Sequence, residues 1–174
     1  MQKSLFKQLG LSLLASTLLI SATPIPVEAP LVLEMAQERL SSVGRLLIAP
    51  DGLVYVKVSD HYIHEALKIL NDPAIERPPY FGEGKIGAHI TAFTIEESKS
   101  RDLFLPQLEQ PIVFAVTDFD AVEVEGKRIY YYKVDVPQVE LIRMSNGLPP
   151  KIVNHDFHIT VGIRTLEVDA GAQR

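Results

Sequence analysis

The chain has 174 residues, of which 47% are hydrophobic and 22% are charged, and its net charge at pH 7 is −5. This composition is typical of one globular domain with a hydrophobic core, and the negative charge argues against binding of duplex nucleic acid, which depends on many Lys and Arg contacts to phosphate. The absence of Cys excludes disulfides, thiolate zinc sites and a lipidated cysteine.

The N-terminal stretch has the pattern of a signal peptide. Lys3 and Lys7 precede an apolar run from Leu9 to Ile20, and Ala22 or Ala29 suits cleavage after a small residue. The run is shorter than the roughly 20 apolar residues of a comfortable membrane span, and prolines follow it. An uncleaved single-pass anchor is the alternative.

This pattern divides the chain into two parts. We predict a signal peptide and linker over residues 1–29 and one domain over residues 30–174. The mature protein is expected to begin between roughly Thr23 and Pro30. It is predicted to be exported, either to the periplasm or as a secreted protein, as a monomer with no stable membrane span.

Apolar periodicity predicts helices over Leu31–Leu40 and Asp60–Asn71, with Ser59 and Asp60 both suitable as the N-cap of the second. Alternating runs predict strands at Leu46–Ile48, Leu53–Val58, Ile112–Val116, Ala121–Glu125 and Ile129–Val136. Turns are expected at Asp118 and at the Gly126 position. His61 and His64 are neighbours on the polar side of the second helix, which favours a solvated face over half of a metal site.

A loop over residues 75–84 leads into a strand predicted over Lys85–Ile95. Its aromatic residues, Tyr80 and Phe81, suit stacking on a base or packing under the loop, and packing is the commoner role of isolated aromatic side chains. Lys85 shares strand parity with His89, so it is predicted either to meet a substrate phosphate or to extend into water.

The second half of the domain repeats the order of the first half. After a short helix predicted over residues 101–110, the three tyrosines Tyr130–Tyr132 cannot all face the same side of a strand. Pro137–Ser145 is predicted to be a helix, with Asn146 and Gly147 as its stop. Strand, helix and motif strand therefore occur twice.

The motif is His-Ile-Thr, which follows Gly-Ala in the first copy and Asp-Phe in the second. Successive side chains of a strand point to opposite faces, so His89 and Thr91 share one face, and so do His158 and Thr160. The apolar neighbours share the other face. Each strand thus presents an imidazole and a hydroxyl about 6.5 Å apart.

Two His-x-Thr-x strands in a chain of this size resemble the 2H phosphoesterase superfamily, which includes RNA 2′,3′-cyclic phosphodiesterases. The resemblance implies a bilobal α+β fold with two antiparallel sheets and flanking helices around a central cleft. It also implies catalytic roles for His89, Thr91, His158 and Thr160, with no cofactor and no metal. The expected partner is a small phosphodiester or an oligonucleotide end.

Two histidines suit the hydrolysis of a cyclic or 2′-linked phosphodiester. One neutral imidazole removes a proton from the attacking oxygen, and one charged imidazole gives a proton to the leaving oxygen. The Thr hydroxyls can donate to the non-bridging phosphate oxygens. The sequence does not assign the roles of base and acid to particular histidines.

Two rival functions fit part of the pattern. His155 and His158 have the spacing His-x-x-His, but positions three apart on a strand face opposite ways and do not easily share a metal. A non-enzymatic rival is an exported binding module for a phosphate-containing ligand. Turnover that survives a chelator favours the two-histidine enzyme, and affinity without turnover favours the binding module.

Overall fold

The structure is a computed structural model and describes residues 26–152 and 155–166. In this part of the chain, four helices and seven strands follow one another in a mixed order. They are α1 Ala29–Arg39, β1 Val43–Ile48, β2 Val54–Lys57, α2 His61–Leu70, β3 His89–Phe93, α3 Ile95–Lys99, β4 Pro111–Val113, β5 Ala115–Val124, β6 Lys127–Asp135, α4 Pro137–Ser145 and β7 His158–Thr165. None of the described helices has the length and apolarity required to cross a membrane.

The seven strands form one antiparallel sheet in the order β4-β1-β2-β3-β7-β6-β5. The α+β prediction is confirmed, but the prediction of two sheets is wrong. The two halves, β4-β1-β2-β3 and β7-β6-β5, are joined because Ile90 of β3 pairs with Ile159 of β7. The motif strands of the two halves are therefore direct neighbours in the middle of the sheet.

One face of the sheet carries the hydrophobic core. Ile90, Ile159 and Tyr132 are fully buried on this face, and the Tyr132 hydroxyl donates a hydrogen bond to the Val32 carbonyl of α1 at 3.4 Å. On the apolar side of α2, Ile63 and Ala66 are also fully buried. Because α1 and α2 cover this face, the motif His and Thr side chains lie on the other one.

Most predicted elements are confirmed with small shifts of their ends, including α4 and the repeated order of strand, helix and motif strand. Four predictions are wrong. The strand predicted over Ile112–Val116 is divided between β4 and β5, which lie at opposite edges of the sheet. β5 passes through Asp118 with a bulge where a turn was predicted. Residues 101–110 contain turns but no α-helix, and the first motif strand begins at His89 rather than Lys85. Residues 1–25 of the predicted signal peptide lie outside the described residues.

The helix α3 was missed because its five residues are too few to show a period. It is defined by its start, where the Thr94 hydroxyl accepts from the Glu97 backbone N–H and the Glu97 carboxylate accepts from the Thr94 backbone N–H. This reciprocal capping stabilises the first turn. It also fixes the Glu97 carboxylate at the end of β3.

Arg143 of α4 connects the two halves at this point. It is fully buried, and all five of its N–H groups have acceptors: both oxygens of Glu97 at 2.7 and 2.9 Å, the Ala92 carbonyl of β3 at 2.7 Å, and the carbonyls of Pro149 and Lys151 at 3.0 and 3.4 Å. The hydrogen bonds from Arg143 lower the pKa of Glu97. The end of β3 and the segment that leads to β7 are thus tied to the same guanidinium.

We predict that Arg143→Met destabilises the protein by about 3–5 kcal/mol, because it leaves Glu97 and three carbonyls without their donor. Lys68→Met, which breaks an exposed ion pair with Glu65, is the control and is expected to cost at most about 1 kcal/mol. Urea unfolding at pH 7 measures both. Equal losses in the two variants would contradict the role assigned to Arg143.

The ion pair between Arg143 and Glu97 also predicts a dependence of stability on pH. The pKa of the Glu97 carboxyl is lower in the folded protein than its ordinary value of 4.5. The contribution of the ionised carboxylate to the free energy of unfolding is therefore complete above pH 4.5, and it is lost as the pH falls through the pKa of the folded state. Glu97→Gln should reduce the free energy of unfolding at pH 7 and weaken the loss of stability on acidification. Unfolding curves of both proteins between pH 7 and pH 3 test this expectation.

Candidate active site

The site is built where β3 and β7 meet. The pairing of Ile90 with Ile159 sets an antiparallel register in which His89 lies opposite Thr160, and Thr91 lies opposite His158. Directly opposed residues of an antiparallel pair share a face. The structure therefore brings all four motif side chains together on the face opposite α1 and α2, as the strand parity predicted.

Each of the four side chains belongs to a partly buried residue. The two imidazoles lie diagonally across the strand pair, and diagonal positions are about 7–8 Å apart at Cα. They interact electrostatically, since the charge of His158 contributes to lowering the pKa of His89. This separation leaves room for one phosphate group between them.

Both imidazoles are held in the same way. His89 Nδ1 is 2.8 Å from the Gly87 carbonyl oxygen, and His158 Nδ1 is 2.9 Å from the Asp156 carbonyl oxygen. A carbonyl only accepts hydrogen bonds, so each Nδ1 must carry a proton. Each Nε2 is thereby left to accept or donate a proton at the face of the sheet.

The surroundings of His89 are the more buried of the two. Tyr80 lies edge-on to its ring with centroids 4.7 Å apart, and Tyr55 contacts it similarly at 5.7 Å. Burial lowers the pKa of His89 below its ordinary value of 6.5, and the charges of Lys57 and His158 lower it further, against the opposing effect of the hydrogen bond to Gly87. A neutral His89 near pH 7 follows.

The surroundings of His158 contain carboxylates. Tyr131 contacts the His158 ring edge-on at 5.6 Å, and Asp156 interacts with the His158 charge, which contributes to the lowered pKa of that carboxyl. Burial raises the pKa of Tyr131, and the carboxylate of Asp120 raises it further. The two imidazoles therefore lie in different surroundings, with two tyrosine rings against His89, and one tyrosine ring and the Asp156 carboxylate near His158.

Sequence reasoning missed a second repeat, Tyr-x-Lys, on the strands that flank the motif strands. Tyr55 pairs with Thr91 and Lys57 with His89, while Tyr131 pairs with Thr160 and Lys133 with His158. Each histidine consequently lies between a Lys and a Thr, in two arrangements related by an approximate two-fold axis. The signal was visible in the sequence as Tyr-Val-Lys and Tyr-Tyr-Lys in the strand before each helix.

The two lysines differ in how they are neutralised. Lys57 forms one ion pair, with Asp60 at 2.6 Å, whereas Lys133 forms two, with Asp120 at 2.8 Å and Asp118 at 3.3 Å. The hydrogen bonds to Asp120 and Asp118 raise the pKa of Lys133. Both lysines are thus held as cations at the edges of the histidine pair.

Asp60 was predicted as an N-cap, and it occupies that position without its side chain capping α2. Its carboxylate instead accepts from Lys57 Nζ and from the Ala88 backbone N–H at 2.8 Å. Burial alone would raise the pKa of Asp60, but these hydrogen bonds lower it overall. Asp60 therefore ties α2 to the residue that precedes His89.

Tyr80 belongs to the site, whereas packing was the favoured role for it. The Thr160 hydroxyl hydrogen-bonds to Tyr80, and burial raises the pKa of the Tyr80 phenol against the effect of that bond. The Gly87 backbone N–H donates to the Tyr80 carbonyl at 3.0 Å, which closes the loop over β3. Phe81 contacts the His64 ring at 5.0 Å and packs on the core.

The prediction for Lys85 assumed a strand over Lys85–Ile95, but β3 begins only at His89. Lys85 lies in the loop before β3, and its ammonium donates to the Pro79 carbonyl at 2.6 Å. Glycines with positive φ, among them Gly84 and Gly87, interrupt the strand before it reaches His89. The parity that linked Lys85 to His89 is therefore lost, and its contact with a phosphate stays a prediction.

The remaining histidines lie apart from this arrangement. His61, His64 and His155 are exposed, and residues 26–152 and 155–166 contain no group of three or more His, Cys, Asp or Glu residues suited to a metal ion. His155 precedes β7, whereas His158 is the first residue of that strand, and His158 Nδ1 is already hydrogen-bonded to the Asp156 carbonyl.

The structure thus places two histidines on adjacent central strands, each with a threonine opposite. The family model described as Swiss Army Knife, 2H phosphoesterase domain, matches residues 54–168. This range spans both motif strands and more than half of the chain. The chain belongs to the 2H phosphoesterase family, which confirms the resemblance drawn from the two motifs. No match was found among curated proteins or solved structures.

The environment of His89 predicts a low titration point. In ¹H–¹⁵N spectra of the imidazoles, His89 should titrate below 6.5 and should show a protonated Nδ1 and a bare Nε2 when neutral. Lys57→Met should raise its pKa part of the way back, because burial, the larger cause, remains. A His89 that titrates at or above 6.5 would contradict the described environment.

Proposed function

We propose that this protein is a metal-independent phosphodiesterase that hydrolyses a cyclic or 2′-linked nucleotide phosphodiester by two-histidine acid–base catalysis. The observation that carries the proposal is the pair of imidazoles on adjacent strands, each opposite a Thr hydroxyl, whose Nε2 atoms form no hydrogen bond with a residue of the ranges 26–152 and 155–166. Membership of the 2H phosphoesterase family supports phosphoesterase activity in general. The cyclic or RNA-end substrate is the finer part of the proposal.

In this mechanism the scissile phosphate lies between the two imidazoles. His89 Nε2, neutral near pH 7, removes a proton from water as the water oxygen bonds to phosphorus. His158 Nε2 gives its proton to the leaving oxygen on the far side as that P–O bond breaks. The Thr91 and Thr160 hydroxyls donate to the non-bridging oxygens, where negative charge builds in the transition state.

The assignment of base and acid follows from the difference between the two environments. His89 is buried against tyrosine rings near the cation Lys57, which favours its neutral form. His158 then takes the role of the acid, because the mechanism requires one base and one acid and His89 is the imidazole whose surroundings favour the neutral form. In the reaction His89 gains a proton and His158 loses one. Exchange of protons with solvent restores the starting states before the next turnover.

Replacing His89 or His158 by Ala should each lower kcat by about 10²- to 10⁴-fold, the usual worth of general acid or base catalysis. The double variant should lose less than the product of the single losses, because the two act as a unit. Thr91→Val and Thr160→Val should cost less, about 10- to 100-fold, since the proton transfers remain in place. Steady-state kinetics on a 2′,3′-cyclic nucleotide, a 2′,5′-linked dinucleotide and a cyclic dinucleotide give these values.

Circular dichroism verifies that each variant is folded, and a parallel assay in the presence of a chelator tests the metal-independent mechanism. The wild-type rate should describe a bell against pH whose limbs belong to the coupled pair. Near-normal turnover by a folded His89→Ala or His158→Ala protein would remove the two-histidine mechanism. Affinity for these ligands with no turnover would instead support the exported binding module.

We further propose that the protein is exported after removal of its N-terminal segment. Helix α1 begins at Ala29, which is buried, and the Ala29 backbone N–H donates to the Pro26 carbonyl at 3.0 Å. Cleavage after Ala29 would remove these contacts, whereas cleavage after Ala22 would keep them. N-terminal sequencing of exported material should return Thr23, and a sequence that starts at Met1 would refute cleavage.

A further inference from the structure

The face that carries the histidines has an uneven charge. Arg45 of β1 pairs with Lys57 of β2, and Lys57 pairs with His89 of β3. Directly opposed residues share a face, so Arg45, Lys57 and His89 lie side by side across three strands. On the other side of the histidine pair, the row that runs through Thr160 and Tyr131 ends at Asp120 of β5. The row that runs through His158 and Lys133 ends at Asp118 of the same strand.

Arg45 differs from the other basic residues of this face. It is exposed, and no residue of the described part of the chain accepts a hydrogen bond from its guanidinium or forms an ion pair with it. Lys57 and Lys133, by contrast, are each held by carboxylates. The planar N–H fork of Arg45 therefore remains open to a ligand, and such a fork matches the geometry of a phosphate.

The location of Arg45 relates it to the proposed reaction. Strands of a sheet are about 4.8 Å apart, so the backbone of Arg45 lies about 10 Å from that of His89. Its long side chain can reach back over Lys57 toward a ligand seated between the histidines. An anionic group on the opposite side of that ligand would instead meet Asp118 and Asp120, which disfavours the reverse orientation.

We propose that Arg45 forms a subsite for a second phosphate group, one nucleoside away from the phosphodiester that is cleaved. This inference rests on the proposed function and names the substrate class of the same site. The second phosphate is the terminal phosphate of a 5′-phosphorylated cyclic nucleotide or the internucleotide phosphate of an oligonucleotide end. In both cases, the nucleoside that joins the two phosphates lies between the histidine pair and Arg45.

The test compares three substrates: a nucleoside 2′,3′-cyclic phosphate, its 5′-phosphorylated form, and a dinucleotide that ends in a 2′,3′-cyclic phosphate. The wild-type protein should show a kcat/KM about tenfold higher for at least one of the two substrates with a second phosphate, the scale of one charge-assisted hydrogen bond. A gain limited to the 5′-phosphorylated nucleotide assigns the terminal phosphate, and a gain limited to the dinucleotide assigns the internucleotide phosphate.

Arg45→Gln should abolish this preference and leave kcat/KM unchanged for the nucleoside 2′,3′-cyclic phosphate, which has no second phosphate. Arg45→Lys should keep part of the preference, because the charge remains while the fork is lost. Arg39→Gln is the matched control, since Arg39 is an exposed residue of α1, which packs on the other face of the sheet. It should behave as the wild type on all three substrates.

The outcomes separate this inference from the proposed function. If the wild type cleaves the three substrates equally well, or Arg45→Gln keeps the preference, the subsite is overturned and the phosphodiesterase stands. If the wild type cleaves none of the three, the cyclic phosphodiesterase is overturned, and the subsite falls with it. A preference lost equally in Arg39→Gln would also overturn the subsite, because it would reflect net charge alone.

Discussion

The pairing of Ile90 with Ile159 is the constraint on which the site depends. Both side chains are fully buried, so a slip of one residue would turn one motif strand's His and Thr into the core, which is strongly disfavoured. A slip of two residues would bring His89 directly opposite His158 and separate the threonines from the imidazoles. Only the observed register gives each histidine a hydroxyl across the seam.

This register needs support from outside the seam, because few residues of β3 and β7 pair directly. Arg143 supplies a connection by binding the Ala92 carbonyl at the end of β3 and the Lys151 carbonyl on the way to β7. Near the other end of β3, Asp60 links α2 to Ala88. Arg143 is fully buried, and a buried charge is expensive to leave unpaired, so its network holds its partners in one arrangement.

The approximate two-fold symmetry of the site is broken in ways that suit acid–base chemistry. Two equivalent histidines would have the same protonation, whereas hydrolysis requires one neutral and one charged imidazole. Tyr80 covers His89 and has its hydrogen bond with Thr160, whereas the Asp156 carboxylate interacts with His158. The duplicated strands thus provide the geometry, and the unequal loops and edge residues give the two histidines different surroundings.

The sequence by itself determined the strands, the repeated order of elements and the shared face of each His and Thr, because side-chain alternation and helical periodicity are local properties. The two His-x-Thr-x motifs also identified the family. Only the tertiary structure decided that one sheet joins the halves, that Lys57 lies beside His89 in place of Lys85, with Arg45 on the next strand, and that Tyr80 covers the site. These depend on pairing between distant segments and on glycines that end a strand, and no local period records either one.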